Sequence, residues 1–437
     1  MSSGVSPYVL QQGESNFRSP DRPTWELYST CIHCGLCLSH CPTYRVLGTE
    51  MDSPRGRIYQ VLQVDSGRLP IGESFVTHID RCLDCRACES VCPSGVEYGR
   101  IVERARAEIA TNYRRPFLQR VLRRIGYNVI ADWNKLFSVA HLLRFVQQSG
   151  LPTFADKSGL LRLLGLKQVA ALAPRIGSEF FFKEYGQTFS PHGERRGRVA
   201  FLGGCVASVA FAELNRATIR VLQANGIEVY VPGMQRCCGA LHAHAGLREE
   251  ARALARQNIE VFLRADCDAI ITNAAGCGST MKEYHDLLAA DPQYAERAAE
   301  FSAKVRDINE YLAQIGLRPP ARPLTSRVAY QDACHLVHGQ KIKLAPRELL
   351  RAIGAEVVEL PHPDQCCGSA GAYNVVQNEL SMKVLAAKMD DIQSVTADLI
   401  ATANVGCMLQ VRYGAAQRGV SMPVRHVVEL LDDAYRL

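Results

Sequence analysis

The sequence predicts a multidomain chain of mixed α+β and α/β character. An α-helical N-terminal unit organised by cysteines should precede two repeated α/β units. Three observations predict this. The chain has 17 cysteines in 437 residues. Eight of them fall in two runs, CIHCGLCLSHCP at Cys31–Pro42 and CLDCRACESVCP at Cys82–Pro93, each reading C-x2-C-x2-C-x3-C-P. The C-terminal half then repeats itself, each copy carrying a CCG loop.

Hydrophobic residues make up 47% and charged residues 22%, ordinary for a globular protein with several cores. The N-terminus MSSGVSPYVLQQGESNF lacks a basic region followed by an apolar core, so no signal peptide is expected. No window of about 18 uncharged apolar residues suggests a membrane span. Many cysteines without export point to metal ligation in a reducing compartment. The expected location is therefore cytoplasmic, with peripheral contact at the cytoplasmic face of the inner membrane left open.

Residues 1–25 are polar and contain Pro7, Pro20 and Pro23, and read as an extended arm. Residues 26–113 form the ferredoxin-type unit. The C-x2-C-x2-C-x3-C-P run is the bacterial iron–sulfur pattern, in which the fourth cysteine serves the other cluster of a pair. Two [4Fe–4S] clusters are expected in crossed arrangement: Cys31, Cys34, Cys37 and Cys92 on one, Cys82, Cys85, Cys88 and Cys41 on the other. Zinc ribbons use paired C-x2-C knuckles rather than four cysteines in eleven residues, and disulfides need an oxidising compartment. In DSPRGR, Arg55 and Arg57 either steady the charge of a nearby cluster or belong to a capped surface turn. Ile101, Ala105 and Ile109 mark an amphipathic helix packed on the cluster core.

Residues 114–195 read as a basic helical connector. Between Arg114 and Arg175, eleven basic residues face only Asp132 and Asp156, a local charge of +9. With apolar residues at helical spacing, such a face suits an anionic membrane or an acidic partner, or is simply solvated. Nothing resembles a nucleic-acid-binding motif.

Residues 196–322 and 323–437 are the two repeats. RVAFLGGC (Arg198–Cys205) matches RVAYQDAC (Arg327–Cys334), and RCCGALHAHAG (Arg236–Gly246) matches QCCGSAGAYN (Gln365–Asn374). Cys205 to Cys237 spans 32 positions, as does Cys334 to Cys366. Each copy alternates short apolar strands with helices, which implies a mainly parallel sheet. Its cysteines fall at or beyond strand carboxyl ends, where such sheets bind ligands. A further metal site, an iron–sulfur cluster or another ion, is therefore expected at Cys205, Cys237, Cys238 and Cys277, and again at Cys334, Cys366, Cys367 and Cys407. Packing alone does not explain four matched cysteines per copy. A redox disulfide at Cys237–Cys238 is an alternative. Cys267 reads as a small buried residue. His242, His244, His335 and His338 are candidates for supporting a cluster or handling protons. No Rossmann fingerprint, P-loop or nucleophile triad is convincing, so hydride chemistry must come from a partner. No catalytic residue is assigned to this chain.

With these residues stated, the chain resembles the glycolate oxidase iron–sulfur subunit over nearly its whole length. The resemblance rests on CIHCGLCLSHCPTYRVLGTEMDSPRGRIY, DRCLDCRACESVCPSGVEYG, CCGALHAHAG, YQDACHLVHGQKI, CCGSAGAYN and IATANVGCMLQ. Related CCG domains often end in CxxC; here Ala274 and Asn404 stand at the first position of that pair. The resemblance implies an electron-transfer subunit of a 2-hydroxy-acid oxidoreductase complex. Flavin subunits carrying FAD would oxidise glycolate to glyoxylate, and this chain would pass electrons to an acceptor such as a membrane quinone. The equivalent subunit for lactate or glycerol-3-phosphate, or a heterodisulfide-reductase-like enzyme, is the alternative.

Overall fold

The computed structural model describes residues 15–163 and 167–436. Most of the expected N-terminal arm, residues 1–14, lies outside them. The chain divides into two compact units. The first comprises the residues up to Pro116 together with Ala243–Arg248; the second comprises Phe117–His242 and Glu249–Leu437.

The first unit is helical. The cysteine runs are joined by helices Pro54–Asp65 and Glu73–Asp80 and followed by Tyr98–Asn112. Ser53 caps the first of these by accepting from Gly56 N at 3.0 Å, and Pro54 occupies its first turn. Gly56 is required, because a Cβ there would lie 1.9 Å from Glu50 O. The expected stripe Ile101, Ala105 and Ile109 is buried with Phe75, Ile79, Val61 and Tyr28 in one apolar cluster. Arg57 belongs to no surface turn. Its guanidinium is buried, donating to His78 O at 2.7 Å and to Thr43 Oγ1 at 3.2 Å. Ser53 does cap the helix, so the turn and the buried cation coexist.

The second unit holds two sheets. Strands β1 (Thr188–Phe189), β2 (Gly197–Phe201), β3 (Ile227–Tyr230), β4 (Ala269–Thr272) and β5 (Val305–Asp307) form the first, in order β1-β3-β2-β4-β5. Strands β6 (Arg327–Tyr330), β7 (Glu356–Glu359), β8 (Leu399–Thr402) and β9 (Val424–His426) form the second, in order β7-β6-β8-β9. All pairings are parallel except the edge strand β1 on β3. Strands β4 and β8 are buried at every position because helices cover both faces. The two repeats thus share one four-strand topology. Its order reverses between the first and third strands, a switch point of the kind at which open α/β sheets bind ligands.

One apolar core runs through both sheets, from Val199 and Ile271 to Val328 and Ile400. Helix Ala212–Ala224 packs on Val427–Tyr435, and helix Ile308–Ile315 packs on Ala345–Ala352. Arg220 and Asp432 join the halves through hydrogen bonds of 2.9 and 2.7 Å. The basic segment supplies helices Phe117–Ala131 and Trp133–Gln148, which pack on one another. No residue of the former is buried. Among the described residues, no helix is long and apolar enough to cross a membrane.

Candidate iron–sulfur centres

The two cysteine runs turn alike at two positions. His33 and Asp84, at equivalent positions, have φ of 55° and 52°; Gly35 and Arg86 have 86° and 61°. Left-handed residues alternating with right-handed ones turn amide N–H groups into a concavity that favours negative charge. Asp84 N accordingly donates to Cys82 Sγ at 3.3 Å, and Val96 N to Cys92 Sγ at 3.5 Å.

Burial sorts the eight cysteines into two sets that cross the runs. Cys41, Cys82, Cys85 and Cys88 are buried; Cys31, Cys37 and Cys92 are half-buried and Cys34 is exposed. The buried four line one cavity, walled by Pro42, Pro54, Arg57 and Tyr98. Burial pushes the Cys88 thiol well up, and Cys85, Cys82 and Cys41 add to the effect. Burial likewise raises Cys31, with Cys92 and Cys34 as its thiol neighbours. A cationic centre reverses that cost by taking the thiolates as ligands. Four soft donors facing one cavity, with N–H groups aimed at sulfur, fit an iron–sulfur cluster. Tyr98 O–H donates to Cys82 Sγ at 3.6 Å, and Thr43 Oγ1 lies 3.2 Å from Cys41 Sγ. Arg57 in turn holds Thr43, which brings a buried positive charge to the cavity wall. Arg55 sits at the other set, donating to His33 O at 3.0 Å and pairing with Glu50 at 2.7 Å.

A charge network backs the buried set. His244 Nδ1 lies 2.8 Å from Glu103 Oε1 and 3.3 Å from Asp84 Oδ2. Arg86 approaches Glu103 at 3.8 Å, Arg106 approaches Asp84 at 3.8 Å, and Arg248 approaches Glu103 at 3.7 Å. The three ligand-type atoms lie close enough to span a metal ion, but the three arginines beside the carboxylates already supply the positive charge. Burial by itself would lower the pKa of the His244 imidazole; hydrogen bonds to Asp84 and Glu103 outweigh burial and raise it to about 9. At neutral pH it is a cation among carboxylates. His244 therefore serves the ferredoxin-type unit, not the first repeat's cysteines, because Ala243–Arg248 belongs to that unit. The sequence offered no local signal for this pairing, since Glu103 and His244 are 141 positions apart.

In each repeat the four expected cysteines meet. Cys205 Sγ lies 3.8 Å from Cys237 Sγ, Cys237 adjoins Cys238, and Cys238 adjoins Cys277. The second repeat forms the same chain, Cys334 to Cys366, Cys366 to Cys367 and Cys367 to Cys407. Thiol contacts and burial together hold Cys205 and Cys334 well above the usual range. Backbone carbonyls are fixed from behind: Tyr284 O–H donates to Cys238 O at 2.7 Å, and Asn258 Nδ2 donates to Cys237 O at 3.0 Å. In the second repeat Asn404 Nδ2 donates to Cys407 Sγ at 3.4 Å, and His335 Nδ1 lies 3.5 Å from Cys334 Sγ. His338 instead bonds Asp364 O at 3.1 Å, and the buried His242 ring packs on Tyr127. Cys267 is buried, as its sequence context implied.

Two thiol-lined centres in a helical unit and one in each of two α/β repeats define the class: an iron–sulfur protein with a dicluster unit and duplicated cysteine-rich domains. Comparison with protein families agrees. A 4Fe-4S dicluster domain matches residues 28–96, and a cysteine-rich domain matches residues 199–282 and 328–412. The probable glycolate oxidase iron–sulfur subunit of Bacillus subtilis is 41% identical, covering 92% of this chain and 93% of that protein. The Escherichia coli glycolate oxidase iron–sulfur subunit is 33% identical over the same shares. Lactate utilization protein A of Geobacillus kaustophilus is 29% identical across 54% of this chain and 98% of its own length. The chain belongs to the family of glycolate oxidase iron–sulfur subunits.

Proposed function

We propose that this chain is the electron-transfer subunit of a glycolate oxidase complex. Flavin subunits carrying FAD oxidise glycolate to glyoxylate, and this chain conducts their electrons to an acceptor such as a membrane quinone. The observation that carries the reading is the sorting of eight cysteines into one buried and one accessible set of four, each drawn from both runs. Family membership supplies the substrate.

Two [4Fe–4S] clusters are assigned in crossed fashion, to Cys31, Cys34, Cys37 and Cys92 and to Cys82, Cys85, Cys88 and Cys41. When bound, each cluster supplies a one-electron redox couple. The chain's own residues set its surroundings. The Asp84 amide and Tyr98 hydroxyl donate to Cys82 sulfur, Arg57 places a positive charge at the cavity wall, and burial excludes water. We further assign metal binding to Cys205, Cys237, Cys238 and Cys277 and to Cys334, Cys366, Cys367 and Cys407. Contact with a membrane surface is supported by helix Phe117–Ala131. It leaves Leu118, Leu122 and Ile125 bare along one stripe, in a segment rich in arginine. The lactate utilization relative favours a second reading, in which the flavin partner oxidises lactate and this chain's role is unchanged.

The test is anaerobic. The protein is co-purified with its partners, glycolate is added without acceptor, and cluster signals are followed by electron paramagnetic resonance. Reduction by glycolate is expected; reduction by lactate or glycerol-3-phosphate alone would replace the substrate, and no reduction by any of them would end the reading. Iron above eight per chain is expected if the repeats bind clusters.

A further inference from the structure

The two cysteine loops share their left-handed turns but lie in opposite surroundings. Their left-handed residues coincide, His33 with Asp84 and Gly35 with Arg86. Their apolar residues also coincide in register, Ile32 with Leu83 and Leu36 with Ala87. Yet Ile32 is 69% exposed where Leu83 is 4%, and Leu36 is 56% exposed where Ala87 is 5%. Cys34 is exposed where Cys85 is buried. The loop backbone does not require an apolar residue at either position, since Ile32 and Leu36 pack against little of this chain. Two large bare side chains flanking an exposed cluster ligand mark a surface that something covers.

We infer that the loop Cys31–Cys37 is the docking face for the flavin-bearing partner, and that Ile32 and Leu36 are the anchors it buries. This rests on the assignment of a cluster to Cys31, Cys34, Cys37 and Cys92. Electron tunnelling weakens steeply with distance, so the accessible centre is the one a protein donor can approach. The centre held by Cys41, Cys82, Cys85 and Cys88 is walled in and lies further along the path. The loop is rigid enough to present a fixed surface. Arg55 ties His33 O to Glu50, and Tyr59 packs on the His33 ring with centroids 6.4 Å apart. Arg55 and Glu50, which brace the loop, neutralise each other, and Ile32 and Leu36 give it exposed apolar area. That suits the water-free centre of a protein interface better than an anionic lipid surface.

The experiment uses the complex co-purified with its flavin subunits, beside this chain alone. Hydrogen–deuterium exchange of residues 31–40 should slow at least tenfold in the complex. Ile32→Ser with Leu36→Ser should keep the wild-type iron content and dithionite-reduced resonance signal, because neither side chain is packed. Substrate-driven cluster reduction should fall at least tenfold. Equal exchange in the free and complexed chain overturns the inference, as does an unchanged substrate-driven rate. A variant that loses its cluster signal also overturns it, by making the two side chains structural. Protection on self-association of the chain alone reassigns the face to a second copy and overturns the flavin partner. Failure of the functional reading looks different: the wild-type complex is protected at residues 31–40 but no 2-hydroxy acid or glycerol-3-phosphate reduces it.

Discussion

His244 gives the ferredoxin-type unit an alkaline limit. Its pKa rises from the ordinary 6.5 to about 9 because Asp84 and Glu103 both face its Nδ1, Glu103 as hydrogen-bond acceptor at 2.8 Å and Asp84 as a second negative charge 3.3 Å away. Arg86, Arg106 and Arg248 face the same carboxylates and oppose that rise. The folded state therefore binds the proton more tightly than the unfolded chain does. The sign follows: the stabilisation is complete below about pH 6.5 and is lost as pH climbs through about 9. The rise of about 2.5 units corresponds to roughly 3 kcal/mol. Asp84 and Glu103 are held below the usual carboxylate range, so their contribution is lost only in acid and does not blur the alkaline window. The assay is anaerobic guanidinium unfolding, followed by bleaching of the cluster absorbance, at a series of pH values from about 6 to 10. Wild type should lose about 3 kcal/mol more than His244→Gln across that range. Parallel curves for the two proteins would refute the reasoning, because the imidazole would then titrate alike in both states.

Three other outcomes are expected. Gly56→Ala should lower the denaturant midpoint by about 1–3 kcal/mol equivalent, because its Cβ would lie 1.9 Å from Glu50 O and force the turn open. Arg57→Met should cost about 1–3 kcal/mol by leaving Thr43 and the His78 carbonyl short of a buried donor, while Asp52 keeps His78 and Arg81. The same change should make the Cys41, Cys82, Cys85 and Cys88 centre harder to reduce, read by redox titration, with Arg57→Lys falling between. Wild-type protein should sediment with vesicles containing anionic lipid, less so at high salt. Leu118→Ser, Leu122→Ser and Ile125→Ser together should abolish this while leaving iron content unchanged.

What could be read in the sequence was what is encoded locally or twice. The C-x2-C-x2-C-x3-C-P runs carry an iron–sulfur pattern in their spacing, so a 4Fe-4S dicluster domain was legible before any fold was known. The repeats were legible because their cysteines and strand ends recur at one period, and the thiols meet as that recurrence implied. Strands β5 and β9 have three residues each, too short to show a strand period. The sequence left Arg57 open between steadying a cluster and capping a surface turn, because burial of a guanidinium depends on Thr43 and His78 arriving from elsewhere. The unequal exposure of Ile32 and Leu83 is likewise invisible in two runs of the same pattern.

The packing of the two repeats has a consequence for oligomer symmetry. Helix Ala212–Ala224 follows the first cysteine of its repeat, and Ala345–Ala352 is its counterpart; Ile308–Ile315 and Val427–Tyr435 close their respective repeats. Each early helix packs on the other repeat's closing helix. The contact is therefore made twice, with the partners' roles exchanged, as in a two-fold dimer whose subunits have been joined end to end. A single repeat expressed alone would expose both of these faces and would be expected to pair with a second copy of itself. A substitution at one copy of the contact would leave its twin intact. A tandem chain of this kind can let its two cysteine sites diverge, as His335 and Asn404 at the second site have begun to do, while a true homodimer must keep them identical.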